Sequence, residues 1–171
     1  NSGGALVNTR GELVGINTAI ASQTGSYAGY SFAVPVNLVT KVMHDLIDYG
    51  VVQRGFLGVQ ISDINQEIKE KNNLSSTKGV YVSGVTENGS ADKAGIKTGD
   101  VIFKIGGKEV NSSASLQEEI GRRRPGDKVA VTVRNKNGSE EIIDVLLRNS
   151  EGETKLVSKE EVKKNVALGA T

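Results

Sequence analysis

The chain has 171 residues, enough for one domain or for one domain and part of another, and its 37% hydrophobic and 24% charged residues are typical of a globular protein. Its 21 basic and 20 acidic side chains nearly cancel, which argues against nucleic-acid or membrane-surface binding driven by charge, and no apolar run is long enough to span a membrane. Cysteine is absent and there is one histidine, so disulfides and cysteine catalysis are excluded and no metal or other cofactor is expected.

The first part of the chain predicts short strands. Residues 5–7 and 12–17 are β-prone runs separated by turn residues at 8–11, so a hairpin is expected. A Ser/Gly/Gln loop follows at 22–29. A third strand is expected over 30–34, and the proline after it ends the strand.

One helix is expected next. Asn37 is a favourable N-cap and Gly50 a favourable C-terminal stop. The apolar residues between them recur on one helical face, which we expect to pack in a core: Val39, Val42, Met43, Leu46 and Ile47. His44 lies beside this stripe with no catalytic partner near it in sequence, and we interpret it as a surface histidine.

A second module of short strands is expected from Gly55 to about Arg148. Alternating valines at 129, 131 and 133 indicate a strand with one buried face, and Asn137-Gly138 predicts a hairpin turn. Strands are predicted over 56–62, 79–86, 100–105, 128–135 and 140–147, and helices over 90–94 and 113–122. Together these elements predict a small β-sandwich-like or barrel domain.

Two charged segments lie in or after this module, one at 150–164 and one at 122–124. Residues 150–164 are polar and predict a solvated linker that includes a short helix. The apolar ending at 166–170 repeats the Leu-Gly pair found at 57–58, which hints at the start of a second copy of the module. Three arginines at 122–124 are interpreted as a solvated helix end.

Ser2 is a candidate nucleophile. It is followed by Gly3 and Gly4, and a nucleophilic serine needs small neighbours, a base and N–H donors for the oxyanion. An N-terminal nucleophile hydrolase is rejected because Asn1 occupies the place where the serine would have to stand. A Gly/Ser turn without chemistry is the alternative for these residues.

The segment from Arg54 to Val59 is a candidate binding loop. A glycine between apolar residues can direct successive backbone N–H groups at one anion, such as the terminal carboxylate of a peptide. The strand that follows offers an edge for strand addition, with the helix from Ser113 as the opposite wall. The candidate residues are Arg54, Gly55, Phe56, Leu57, Gly58, Val59 and Ile61. The alternative is that they are core residues of a first strand.

The two modules resemble a known family. AGIKTGDVI at 94–102 and IGGKEV at 105–110 resemble the PDZ-domain signature of bacterial proteases. NSGGAL at 1–6, GELVGINTAI at 11–20 and FAVP at 32–35 resemble the end of the protease domain of the HtrA/Deg family. The order of the modules and the Arg-Gly-x-Leu-Gly junction between them are also similar to this family.

The resemblance implies a mainly β fold with short helices. Residues 1–50 correspond to the C-terminal part of a trypsin-like β-barrel, 51–149 to one PDZ domain, and 150–171 to a linker and the start of a second PDZ domain. Ser2 corresponds to the nucleophile of this family, and residues 22–29 correspond to a regulatory loop. The segment from Arg54 to Val59 corresponds to the loop of the PDZ domain that binds a carboxylate.

The function implied by the resemblance is that of a periplasmic, ATP-independent serine endopeptidase. It would degrade misfolded envelope proteins as a homotrimer or larger assembly, with peptide C-termini bound by the PDZ domain. In this family the catalytic His and Asp come before the serine, and nothing but Asn1 precedes Ser2 here, so the oxyanion glycine is missing as well. We therefore expect this chain by itself to bind peptides without hydrolysing them, and we expect residues 1–50 to expose strand edges and apolar faces.

Overall fold

The computed structural model of the chain describes residues 2–21 and 30–162. These residues fall into two compact units, of which the first includes residues up to Val52 together with 159–162, and the second is Gln53–Ser158. The loop predicted at 22–29 and the apolar ending at 166–170 lie outside the described residues.

The first unit contains an antiparallel sheet. Its strands are β1 (Ala5–Val7), β2 (Leu13–Ala21) and β3 (Tyr30–Pro35), in the order β1-β2-β3. The Asn8 side chain closes the β1–β2 turn, because its Oδ1 accepts the N–H groups of Arg10 and Glu12 at 2.9 and 3.0 Å. This confirms the predicted hairpin.

Helix α1 (Val36–Tyr49) follows β3 without a connecting loop and packs on β2 and β3. Pro35 is the N-cap residue and no side chain caps the helix, so the prediction that Asn37 caps it was wrong. The strand runs directly into the helix, which places the last extended residue at Pro35. The C-terminal end is as predicted, since Gly50 has φ 75° and donates its N–H to the carbonyl of Leu46.

The apolar face of α1 is only partly covered. Met43, Leu46 and Ile47 are 51%, 45% and 60% exposed, so the prediction that this face packs in a core was wrong for its second half. The buried residue of the helix is Asp45, paired with Lys41 at 2.6 Å. Other large apolar side chains of this unit are also exposed, as expected for residues 1–50: Leu6, Val7, Leu13, Val14 and Phe32. His44 is exposed on α1, as predicted.

The second unit is built on a larger antiparallel sheet. Its strands are β4 (Val59–Asp63), β5 (Val80–Val85), β6 (Val101–Ile105), β7 (Lys108–Glu109), β8 (Lys128–Arg134) and β9 (Glu140–Leu146). The order is β4-β5-β6-β8-β9, with β7 paired to β6, so β4 lies at one edge of the described sheet. The helices are α2 (Gln66–Lys71), α3 (Ser90–Ala94) and α4 (Ser113–Gly121).

The core of this unit follows the predicted periodicity. Val129, Val131 and Val133 of β8 are buried, and so are Leu116 and Ile120 on one face of α4. The other large core side chains come from the remaining strands and the turns between them: Val80, Val82, Ile96, Ile102, Ile105, Val110, Val145 and Leu147. The burial of these aliphatic side chains is the main favourable contribution to the fold.

Three elements of this unit differ from the sequence prediction, and one of them is β7, a two-residue strand that was not predicted. Helix α2 was not predicted, because its six residues include one apolar side chain; Asn65 caps it by accepting the N–H of Ile68 at 2.8 Å. Strand β4, the first strand of this unit, begins at Val59 and not at Phe56 as predicted, because Gly58 has φ 76° and turns the chain. Phe56 instead forms an isolated bridge with Arg148.

Candidate functional site

The loop that precedes β4 is fixed at its start by backbone contacts. Gly55 donates its N–H to the carbonyl of Arg123 at 3.3 Å, and Phe56 donates its N–H to the carbonyl of Arg148 at 2.8 Å. A Cβ atom on Gly55 would lie 3.0 Å from the carbonyl oxygen of Arg124, so a larger residue would displace one of the two backbones. The predicted loop therefore passes close to the C-terminal end of α4.

Three carbonyl groups of the loop are bound by one neighbouring segment, residues 86–91. The carbonyl of Phe56 accepts the Ser90 hydroxyl at 2.7 Å. The carbonyl of Leu57 accepts the N–H of Ala91 at 2.8 Å, and that of Gly58 accepts the N–H of Thr86 at 2.9 Å. Three consecutive carbonyl groups therefore point toward this segment.

The N–H groups of the loop point the other way. In a trans peptide the N–H of one residue is directed opposite to the preceding carbonyl, and no described peptide bond is cis. The N–H groups of Leu57, Gly58 and Val59 are therefore directed away from residues 86–91. Those of Leu57 and Gly58 donate to no acceptor among residues 2–21 and 30–162. The loop thus presents successive unpaired donors, an arrangement suited to an anion.

Strand β4 continues from these donors along the edge of the sheet. It pairs with β5 on one side, and α4 lies close to it. At its far end Oδ1 of Asp63 accepts the N–H of Ser113, the first residue of α4. The hydroxyl and the N–H of Ser113 both hold the pKa of Asp63 below its ordinary value of 3.8. This contact joins the end of β4 to the start of α4.

The predicted binding side chains have different positions. Leu57 is 4% exposed and belongs to the core, whereas Val59 and Ile61 are half-buried and pack against it. Phe56 and Arg54 are exposed. The structure therefore places Arg54, Gly55, Phe56, Leu57, Gly58, Val59 and Ile61 in one continuous loop and strand.

The residues that hold this loop in place were not predicted from the sequence. Ser90 is 3% exposed; its hydroxyl donates to Phe56 and accepts the N–H of Arg148 at 3.0 Å. Thr86 and Ala91 act through backbone N–H groups, which carry no sequence signal. A serine at the first position of the short α3 was visible in the sequence, but its partner lies 34 residues earlier.

Ser2, the candidate nucleophile, is exposed next to β2. Its hydroxyl donates to the carbonyl of Thr18 at 3.1 Å, and Gly3, with φ 83°, donates its N–H to Asn17 at 2.7 Å. No histidine or carboxylate among residues 2–21 and 30–162 is hydrogen-bonded to Ser2. The described part of the chain thus gives this hydroxyl a backbone partner and no base.

The arginines at 122–124 differ from the predicted solvated helix end. The guanidinium of Arg122 folds back onto α4 and pairs with Glu118 and Glu119, and its side chain is 20% exposed.

Within residues 2–21 and 30–162 there is no group of three or more potential metal ligands. None of the described helices is both long and apolar enough to cross a membrane.

Comparison with known proteins identifies relatives of the chain. The family profile described as PDZ domain matches residues 55–147. Periplasmic serine endoprotease DegP of Escherichia coli K12 is 44% identical over 131 residues, which is 77% of this chain and 28% of that protein. Periplasmic pH-dependent serine endoprotease DegQ of the same strain is 40% identical over 150 residues, which is 88% of this chain and 33% of that protein.

A solved structure is also similar. The HtrA-type protease AlgW with decapeptide is 38% identical, with a TM-score of 0.64 over 86% of this chain and 45% of that one. The chain spans a third or less of the length of the two Escherichia coli proteases. These matches confirm the resemblance inferred from the sequence: the chain belongs to the PDZ domain family and is a PDZ-containing region of the HtrA/DegP/DegQ proteases.

Proposed function

We propose that the loop at residues 55–59 and the edge of β4 bind the free C-terminus of an extended polypeptide. The observation that carries this proposal is the row of N–H groups at Leu57, Gly58 and Val59, directed away from the segment that binds the loop carbonyls. A carboxylate that accepts such donors forms charge-assisted hydrogen bonds, each contributing about 1.5–3 kcal/mol.

The direction of the ligand follows from the position of the donors. They stand at the start of β4, so the terminal residue of the ligand lies beside Val59 and earlier residues lie beside later residues of the strand. The ligand therefore runs antiparallel to β4 and adds a strand to the sheet. Val59 and Ile61 are half-buried apolar residues, which favours a ligand with an apolar last side chain.

The decisive experiment compares a peptide that has a free apolar C-terminus with the same peptide amidated. Amidation removes the charge that the donors bind, so we expect it to weaken binding by about tenfold or more, measured by calorimetry or fluorescence polarisation. Equal affinity for the two peptides would show that the loop does not bind a carboxylate.

A pair of glycine variants locates the site. Gly58→Ala forces a side chain onto a residue at φ 76°, where its Cβ would contact Gly89, and should abolish peptide binding. Gly138→Ala has the same backbone cost, about 1–2 kcal/mol, because Gly138 has φ 83°, but it lies in the β8–β9 turn with open space around it. We expect both variants to lose stability and Gly58→Ala alone to lose affinity.

We also propose that Ser2 is the nucleophile of a serine endopeptidase acting on misfolded polypeptides in the periplasm. The support is the NSGGAL segment and the relatives, which are named periplasmic serine endoproteases. A serine without a base is a weak nucleophile. This chain, tested alone with an acylating active-site probe, should therefore react no faster than its Ser2→Ala variant; faster labelling at Ser2 would contradict this account.

A further inference from the structure

A second concave region of the Gln53–Ser158 unit shares no lining residue with the candidate peptide site. One wall is the segment from Lys71 to Lys78, between α2 and β5, and the other is the β8–β9 turn at 134–138. Tyr81 and Phe103 contribute to its lining from the sheet. The volume is about 520 Å³, and we call this region the basic cleft.

The charge of the basic cleft is one-sided. The described residues that line it include four cationic side chains and no carboxylate, although basic and acidic residues are nearly equal in the chain. Lys71, Lys78 and Lys136 pair with no carboxylate among the described residues. Arg134 is paired with Glu140, which lies outside the lining. Three lysines, which come from both walls, therefore line one cleft without a paired carboxylate among the described residues.

Contacts fix the Arg134 side chain, and the Lys136 side chain lies against Gly99. The Arg134 guanidinium lies over the Phe103 ring, 4.6 Å from its centroid, and donates to the hydroxyl of Ser75 at 3.0 Å, which joins the two walls. The carbon chain of Lys136 crosses Gly99, where a Cβ atom would lie 1.9 Å from Cε of the lysine. Gly99 thus leaves room for the Lys136 side chain at the cleft.

Three residues that line the cleft also have unpaired backbone N–H groups. The backbone N–H groups of Ser75, Ser76 and Lys136 donate to no acceptor within residues 2–21 and 30–162. These residues lie on opposite walls, so the donors accompany the lysines on both sides.

We propose that the basic cleft binds a phosphate-bearing ligand. A phosphate group carries about 1.5–2 negative charges and three acceptor oxygens, which matches several ammonium groups and free N–H donors better than a single carboxylate does. Lysine binds phosphate as a point charge, so wide spacing of the ammonium groups is tolerated. The proposal is independent of the peptide site because the two share no residue.

The test is a titration of the isotopically labelled 171-residue chain with inorganic pyrophosphate at low ionic strength, followed by amide NMR. We expect saturable shifts confined to residues 72–78 and 135–138. The double variant Lys78→Gln/Lys136→Gln should weaken this binding by about fivefold or more. The double variant Lys93→Gln/Lys97→Gln, which removes the same charge from exposed lysines outside the cleft, should leave it unchanged.

A second arm distinguishes the source of the phosphate. If the ligand is a lipid headgroup, the chain should bind vesicles of phosphatidylglycerol, and the double variant Lys78→Gln/Lys136→Gln should not bind them. Vesicles of phosphatidylcholine are the control. Saturation by pyrophosphate without vesicle binding identifies a soluble phosphate compound. The proposal is overturned if neither probe binds, or if both double variants weaken the shifts equally, because the effect is then general charge screening.

Discussion

At the scale of single residues, Ser90 determines how the candidate carboxylate loop is held. Its hydroxyl bridges the carbonyl of Phe56 and the N–H of Arg148, two backbone groups that come from different ends of the second unit. Fixing the Phe56 carbonyl also fixes the direction of the Leu57 N–H, since both belong to one planar peptide. Ser90 is therefore a positioning residue, which acts on the ligand through the loop.

Ser90→Ala should lower both stability and peptide affinity. The change leaves one carbonyl and one N–H without their common partner, at a cost of about 1–3 kcal/mol in the free energy of unfolding. Urea denaturation and peptide titration measure the two effects, and amide exchange at Leu57 and Gly58 should become faster. Ser83→Ala, at an exposed position of β5, is the control. A loss of stability with unchanged affinity and exchange would mean that Ser90 does not position the loop.

The sequence predicts a candidate loop at this position but not the separate surroundings of its residues. Glycine next to apolar residues predicts where N–H groups can converge, and this correctly placed the segment at the start of an edge strand. It could not separate Leu57, whose side chain is in the core, from Val59 and Ile61, which border the free edge. Replacing Leu57 with a charged residue would bury an unpaired charge in the core, so it would lower the stability of the fold and would not be a specific test of peptide binding. The role of Ser90 depends on a tertiary contact and was not predictable.

At the scale of elements, β4 and α4 are joined at one end by Asp63 and Ser113. The carboxylate accepts the first N–H of the helix, a group that has no partner within the helix itself. A negative charge at this end also interacts favourably with the helix dipole. The contact therefore sets the spacing between the edge strand and the helix beside it, where the ligand is proposed to lie.

The Asp63 contact should make stability depend on pH in acid. Because Ser113 lowers the pKa of Asp63 in the folded chain, the folded state favours the charged carboxylate. The stabilisation is fully present above the ordinary value of 3.8 and is lost as the pH falls through the lowered folded value. The difference in unfolding free energy between the chain and Asp63→Ala should shrink in acid denaturant titrations. A difference that stays constant across this range would contradict the assignment.

Regular periodicity explains which elements were predicted. The buried alternation in β8 and the four-residue repeat of Leu116 and Ile120 in α4 are strong signals, and both elements formed as expected. Helix α2 has little apolar periodicity and is set by its Asn65 cap, so the pattern did not reveal it. The start of α1 was misplaced because a strand that runs directly into a helix leaves no separate capping residue.

At the scale of the whole molecule, the second unit is closed by a contact between its two ends. The Gln53 amide donates to the carbonyl of Val157 at 2.9 Å and accepts its N–H at 3.0 Å. Gln53 is 2% exposed, so this pair is protected from water. The contacts of the unit extend to Ser158, whereas the sequence predicts a solvated linker from residue 150.

Two fragments test whether the second unit ends at Ser158, as in the structure, or at residue 149, as predicted from the sequence. A fragment of residues 53–158 should fold alone and bind the free-carboxylate peptide with the affinity of the whole chain, because its core and loop lie within it. A fragment of residues 53–149 lacks the partner of Gln53 and should melt about 5 °C lower or more, since two hydrogen bonds of about 1 kcal/mol each are lost. Equal melting temperatures would favour the boundary predicted from the sequence.

The open edge of β4 has a consequence for the protein in concentrated solution. A strand that accepts a ligand by backbone pairing also accepts the same strand of another copy, which is a route to aggregation. β4 is five residues long and its register against β5 shifts between Gln60 and Ile61, two features that limit such pairing. A bound peptide covers the same edge, so occupancy of the site should also keep the chain monodisperse.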